Sequence, residues 1–420
     1  MNAPRSLLRM TLISALGGVF EFYDFVIFAV FAPQIGAAFF PPEAGESAQT
    51  LEAFLVFAVG YLARPIGGLL WAHVADRRGR AYVFSHTVLG MAAATLSIAL
   101  LPGYATIGVA APVLLVLLRL LQGMTLGGEL PASLCWLAEH AGERRSGVAT
   151  ATLMAGVNSG MLLGQLVAAA ITLALGEVAA FAWGWRIAFV LGSSVGVTAW
   201  FVRRHVGETA EFERLRARGV ERVPLRTLLR TEPGNAVRAA ALCAVHAWVV
   251  ATLYLAFPAF LHQHGELSLA SAERIALACA ALGSVLFPCA GWLADRVGAA
   301  RVCRTLLVLL AVAAVPAYLW FPSHGVLPLA LLGAIGGLFI GAYLALLPRL
   351  FSPAVRSSGL ALGYDGAFAI VGGLGPFAML WLAGKHGPVA VGLALAAISA
   401  LAMLAVPREP VERTAEPMPE

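Results

Sequence analysis

Trp71-Ala72-His73-Val74-Ala75-Asp76-Arg77-Arg78-Gly79-Arg80 separates two long apolar runs, and Gly291-Trp292-Leu293-Ala294-Asp295-Arg296-Val297-Gly298 separates two others far along the chain. Asp-Arg-x-Gly therefore occurs twice, each time between the second and third apolar runs of one half of the sequence. A second echo pairs Arg144-Arg145-Ser146-Gly147 with Arg356-Ser357-Ser358-Gly359, each opening the fifth run of its half. One such echo is weak; two in corresponding places point to an internal duplication.

The runs themselves set the fold class. Crossing the hydrocarbon of a bilayer takes about 20 apolar residues in a helix. Twelve such runs occur, roughly at 8–38, 50–74, 81–101, 107–137, 147–175, 183–203, 237–261, 270–293, 302–321, 325–348, 357–383 and 387–406. With 60% hydrophobic and 12% charged residues, the chain carries more apolar surface than a soluble fold buries. The expected fold is an all-α membrane protein of twelve transmembrane helices in two six-helix pseudo-repeats. The expected division is a first bundle over 1–203, a cytoplasmic linker over 204–236 with a short helix around Glu211–Gly219, a second bundle over 237–406, and a disordered cytoplasmic tail over 407–420. The first run is long, contains Glu21 and Asp24 and shows no convincing cleavage site, so it reads as a retained span rather than a secretory signal.

Charge gives the orientation. Of 28 Lys and Arg residues, 23 fall in the N-terminus, five alternate connections and the C-terminal tail. Cytoplasmic segments retain positive charge, which predicts a multi-pass protein of the cell inner membrane with both termini cytoplasmic. Its net charge of +5 is then directed at the headgroups of the lipid bilayer and not at nucleic acid. Cys135, Cys243, Cys279, Cys289 and Cys303 lie in or at the ends of spans without CxxC spacing, so no metal site or cofactor is expected. HExxH, GxSxG and Walker A patterns are absent, which argues against an enzyme. We read the chain as a monomer.

The two loop segments, with the echo at the fifth runs, resemble the major facilitator superfamily of transporters. More narrowly, the chain resembles the metabolite:proton symporter branch through Glu21-Phe22-Tyr23-Asp24-Phe25, Arg64-Pro65-Ile66-Gly67-Gly68, Arg119-Leu120-Leu121-Gln122-Gly123, Gly127-Gly128-Glu129, Gly184-Trp185-Arg186 and Glu208-Thr209-Ala210-Glu211-Phe212. It departs at Ala72, where the loop motif has glycine, and at Ala75 and Ala81. The resemblance implies proton-coupled symport of a small organic acid or zwitterionic metabolite by alternating access, with a citrate-like carboxylate favoured and the proton as second partner. Proton-driven efflux of a drug or metabolite by an antiporter is the alternative.

Ionisable groups inside hydrocarbon cost several kcal/mol, so those present face a cavity, pair, or carry function. Glu21 and Asp24 project from one face of the first span. They either handle protons, since desolvation favours the neutral form of an unpaired carboxyl, or lock helices by pairing with Arg64 or Arg119. Arg119 and Gln122, one turn apart, suit bidentate binding of a substrate carboxylate, with Arg64, Tyr23 and Tyr364 as further contacts; the competing reading for Arg119 is a permanent ion pair. Glu129, about 15 Å from Arg119 along the helix, reads as part of the cytoplasmic gate or proton exit. Asp365 joins Asp24, Glu21 and Glu129 as a proton-coupling candidate. Asp76, Arg77, Arg80, Arg144 and Asp295 form the expected gate at the cytoplasmic mouth. His246 reads as hydrogen-bonded packing, and Gly156, Gly160 and Gly164 as a stripe for close helix contact.

Overall fold

The computed structural model describes residues 3–408 apart from 143, 205–207, 209–211, 215, 216, 218–223 and 266. Its long elements are α1 Ala3–Val30, α2 Ala32–Phe39, α3 Glu46–Arg78, α4 Arg80–Leu100, α5 Ala110–Ala141, α6 Ser146–Ala179 and α7 Trp185–Arg203. After the linker come α8 Pro224–Thr231, α9 Pro233–Val250, α10 Phe257–His264, α11 Leu269–Val297, α12 Ala299–His324, α13 Leu327–Leu346, α14 Arg356–Ala367, α15 Gly373–His386 and α16 Val389–Met403. Among the described residues no strand occurs. Among the described residues nine helical stretches are long and apolar enough to cross a membrane, and one of these, Ser146–Arg203, holds two spans that part at Gly176, whose φ is +76°, with a π-helical turn at Ala180–Gly184 leading into the second. The bent pair α1–α2 adds one span and the shorter apolar α16 another, which gives twelve.

Three spans are less regular than the sequence suggests. The first is not continuous: Ser14–Val30 and Ala32–Phe39 meet at 68°. Pro33, in the first turn of α2, has no N–H to continue the α1 ladder. The seventh and eleventh carry π-helical turns at Ala251–Leu255 and Phe368–Gly372. The second of these turns ends at the Gly372-Gly373 pair, where the missing side chains ease the change in winding.

Glycine sets how closely the helices approach. In α3 the face bearing Leu55, Leu62, Ile66 and Leu70 is exposed and suits lipid, whereas Gly60, Gly67 and Gly68 lie on the side that meets α5. A Cβ on Gly123 would stand 2.0 Å from the Gly60 carbonyl oxygen, and one on Gly127 would stand 2.1 Å from the Arg64 carbonyl oxygen. The Gly156, Gly160 and Gly164 stripe faces α1, where a Cβ on Gly160 would meet the Val19 carbonyl at 2.2 Å. The helices sharing the buried charges are thus in backbone contact, as small residues permit in membranes.

At one end of the bundle lie the turns at Gly79 and Gly298, both with positive φ, together with most of the arginines; we call it the basic end. The linker is anchored here. Glu208 accepts a hydrogen bond from the Ala81 amide at the start of α4, and Glu232 accepts from the amide and hydroxyl of Ser352. Of the short helix expected near Glu211–Gly219, residues 212–214 and 217 are helical and the remainder lies outside the described residues, as do 409–420 of the expected tail.

Gly127→Ala should lower the thermal unfolding midpoint of the detergent-purified protein, because overpacking against backbone costs about 1–3 kcal/mol. Gly373→Ala, whose Cβ has nothing within 4 Å, should leave the midpoint within about a degree by the same measurement.

Candidate functional site

Asp24 lies at the centre of a fully buried cluster. Its carboxylate accepts hydrogen bonds from Thr95 Oγ1 of α4 at 2.8 Å, Arg119 Nη1 of α5 at 3.2 Å and Gln122 Nε2 at 3.1 Å. Gln122 in turn accepts from Arg119 Nη1 at 2.7 Å through its Oε1. The Arg119 guanidinium sits 3.9 Å from the Phe28 ring centroid, with Phe57 and Phe25 beyond. Such stacking suits a delocalised cation in a desolvated place. Its Nε and Nη2, which together form one edge of the fork, have no hydrogen-bond partner. An edge of two free donors held inside an apolar box matches a carboxylate in bidentate geometry.

Arg64 and Arg119 are each 2% exposed and do not face lipid. Arg64 Nη2 lies 3.5 Å from Glu21 Oε1 and 3.5 Å from Asp365 Oδ1, so one guanidinium of α3 faces two carboxylates, from α1 and α14. A Cβ on Gly68 would meet Asp365 Oδ2 at 2.3 Å; this glycine makes the seat into which the α14 carboxylate fits.

Glu129 sits elsewhere. It pairs with Arg203 Nη1 at 2.9 Å, and that guanidinium also donates to the Phe84 and Ser14 carbonyls and lies over the Phe84 ring. Gly17 leaves the space for this pair, since a Cβ there would overlap both partners. Glu129 is therefore inside the first six spans and not in a gate. Arg203, the last residue of the sixth expected span and one of the 23 basic residues assigned to the cytoplasmic side, is fully buried. Its only sequence signal was its position directly after the apolar stretch Trp200-Phe201-Val202.

Tyr23 also departs from expectation. Its hydroxyl donates to the Ala188 carbonyl at 2.8 Å and its ring packs on Gly192, so it ties α1 to α7. Tyr364 stacks on Phe368 at 4.4 Å and stands beside Asp365. Behind it, His246 of α9 shares a hydrogen bond with the Tyr343 hydroxyl at 2.7 Å, one more partnered polar group than a bare packing residue needs.

At the basic end, each loop-motif aspartate holds the first turn of the fifth span of the other half. Asp76 accepts from the amides of Ser357 and Ser358 and from the Ser358 hydroxyl, while Asp295 accepts from the amides of Gly147 and Val148 at 2.8 Å each. Free amides at a helix start favour a negative charge, and that is how both aspartates act. Arg349 donates to Ser146 Oγ, and Arg356 pairs with Glu139 at 2.8 Å. These contacts cross between the two sets of six spans, so this end is closed. The gate expected from the sequence is corrected accordingly: Arg77 is exposed beside His73, Arg144 is exposed, and the Arg80 side chain lies outside the described residues. Backbone amides, which no residue pattern advertises, join Asp76 and Asp295 to the other half at the two helix starts.

An all-helical bundle of duplicated halves, with charges buried inside it and cross-half contacts closing one end, is the architecture of a membrane carrier. The chain belongs to the Major Facilitator Superfamily, whose family model matches residues 14–363; it is a multi-pass membrane transporter and not an enzyme. It is 29% identical over 414 residues to the shikimate transporter of Escherichia coli (strain K12), covering 94% of both chains. It is 32% identical over 410 residues to the inner membrane metabolite transport protein YhjE of the same strain, covering 95% of this chain and 93% of that one. A putative proline/betaine transporter of Staphylococcus aureus (strain COL) is 30% identical over 406 residues, covering 94% and 86%. The solved structure of the proton:xylose symporter XylE superposes with a TM-score of 0.74 at 18% identity over 95% of this chain and 94% of that chain, a likeness of fold.

Removing one member of a buried ion pair strands its partner, at about 3–5 kcal/mol, whereas replacing both is far milder. Arg203→Met should therefore abolish stable expression or sharply lower the unfolding midpoint, and Arg203→Met with Glu129→Gln should recover most of the loss in the same thermal assay.

Proposed function

We propose that the protein is a proton-coupled symporter of the inner membrane that imports a small metabolite through one carboxylate group, as an organic acid or a zwitterion. The observation that carries this reading is Arg119: one of its nitrogens is held by Asp24 and Gln122, while its Nε/Nη2 edge is unclaimed. A substrate carboxylate on that edge competes with Asp24 for the same cation. As Asp24 loses its partner, its ionised form becomes costly and a proton takes the place of the lost charge. Substrate and proton thereby bind together. The relatives' names support this chemistry, since shikimate, proline and betaine each carry a single carboxylate. A free edge of that size favours one carboxylate over the citrate-like substrate expected from the sequence.

In this reading the basic end faces the cytoplasm, as the arginine distribution requires, and both termini lie on that side. Residues 1–203 and 237–406 rock as two bundles joined by the 204–236 linker. Asp76 and Asp295 hold the cytoplasmic side shut while the other side admits substrate. Ligands shift such an equilibrium only through unequal affinity for the two conformations.

The test is reconstitution. In proteoliposomes, adding shikimate, L-proline or glycine betaine outside should produce external alkalinisation for at least one of them; binding of any of these without proton movement contradicts the symport reading. Arg119→Ala should reduce uptake at least about 100-fold, the worth of a charged bidentate contact of roughly 3 kcal/mol, in protein that still inserts. Asp24→Asn should abolish proton-driven accumulation but retain substrate counterflow. Asp76→Asn weakens a helix-start contact worth about 1–2 kcal/mol, so turnover should fall about 5- to 30-fold while substrate affinity changes little, as read by transport kinetics beside equilibrium binding.

A further inference from the structure

We infer that Glu21, Arg64 and Asp365 form a second proton site, in which two carboxylates from different halves meet one guanidinium and a single proton neutralises the surplus acid, so latching the halves together while the basic end is closed. The inference rests on the reading of the chain as a proton-coupled carrier but concerns a different cluster from Asp24.

Its geometry is that of an incomplete site. Both carboxylates stand 3.5 Å from Arg64 Nη2, well beyond the roughly 2.7–2.9 Å of a charge-assisted hydrogen bond. None of the four carboxylate oxygens has a hydrogen-bond partner, nor do Arg64 Nε and Nη2. All three side chains are at least 97% buried. The groups facing the junction are Glu21 from α1, Arg64 and Tyr61 from α3, Glu129 from α5, Arg203 from α7, Cys243 and His246 from α9, and Tyr364 and Asp365 from α14. Three carboxylates stand against two guanidiniums, and Glu129 is already matched by Arg203. One carboxylate is surplus in surroundings where an unmatched ion costs several kcal/mol.

A proton resolves the surplus with the atoms present. It forms an O–H bond on one of the two carboxyl groups, which becomes neutral and leaves the other as the single counter-ion of Arg64. A metal cation is disfavoured because the guanidinium already occupies the position between the two acids. The site is also conformation-dependent. Asp365 reaches Arg64 only because α14 is docked on α3 over Gly68, and the same α14 is held at its first turn by Asp76. When the halves part at the basic end, Asp365 leaves, Glu21 keeps Arg64 as a neutral pair, and the proton passes to water as the O–H bond breaks. Opening and proton release become one event.

The test uses substrate-free protein in lipid nanodiscs and the infrared C=O stretch of protonated carboxyl groups, followed from pH 5 to 9. Wild-type protein should show a titrating band that shifts on side-chain 13C labelling of either Asp or Glu. Glu21→Gln and Asp365→Asn should each abolish it and remove one proton from the release measured with a pH indicator, because each leaves one acid against one guanidinium. Asp24→Asn should retain it. The inference is overturned if the band survives both junction variants, if it vanishes only in Asp24→Asn, or if neither isotope moves it in wild-type protein. Any of those results leaves substrate-driven alkalinisation standing as a separate observation, whereas its loss with the junction band intact overturns the symport reading instead.

Discussion

Everything in this structure is arranged around the expense of keeping an ionised group in a medium that cannot hydrate it. Inside the bundle four carboxylates, Glu21, Asp24, Glu129 and Asp365, meet three guanidiniums, Arg64, Arg119 and Arg203. Two of the pairings are internal to the first six spans. The third crosses to the second half and carries the surplus acid. The glycines follow from the same constraint: Gly17 and Gly68 stand where a side chain would displace a carboxylate from its guanidinium.

The basic end applies helix electrostatics in place of ion pairs between exposed side chains, which are worth little on their own. Because the chain is duplicated, the exchange is reciprocal: Asp76 of the first half secures α14, and Asp295 of the second secures α6. The two sides are unequal. A Cβ on Gly291 would lie 2.4 Å from the Gly147 carbonyl, so the second-half motif brings helices into backbone contact, and Asp295 bonds both its amides at 2.8 Å. At the equivalent first-half position Ala72 carries a methyl group, and Asp76 reaches its amides at 3.0 and 3.3 Å. The clasp next to the Asp365 junction thus combines two longer amide bonds with a hydroxyl bond from Ser358 at 2.8 Å.

Much of this was legible in the sequence, because length, apolarity and duplication are properties of residue order. The twelve spans, the halves' echo, the inward-facing Arg64 and Arg119 and their candidacy as partners of Glu21 and Asp24 were readable in that way; which acid meets which base was not. What escaped depended on where a side chain turns once its helix is packed. Tyr23 neighbours Asp24 in sequence but lies about 100° round the helix and meets α7. Arg203 follows the last apolar residue of its span, where nothing local distinguishes a solvated arginine from one that folds back onto Glu129. Gate partners were sought among arginines because side chains are what a sequence lists; the true acceptors' partners are amides that every residue has. The break after Val30 had one local sign, Pro33, which a continuous apolar run concealed.

We propose that this closed basic end is one of two alternating states and that proton occupancy between the halves decides which is populated. It is tested most directly by the distance between spin labels on exposed Arg144→Cys and Arg301→Cys, in protein with Cys279 and Cys289 replaced, measured by double electron–electron resonance across pH. The account predicts a single short distance in acid, a second, longer population that grows as the pH rises, and loss of that pH dependence in Asp365→Asn. One short distance at every pH in the wild-type background would contradict it.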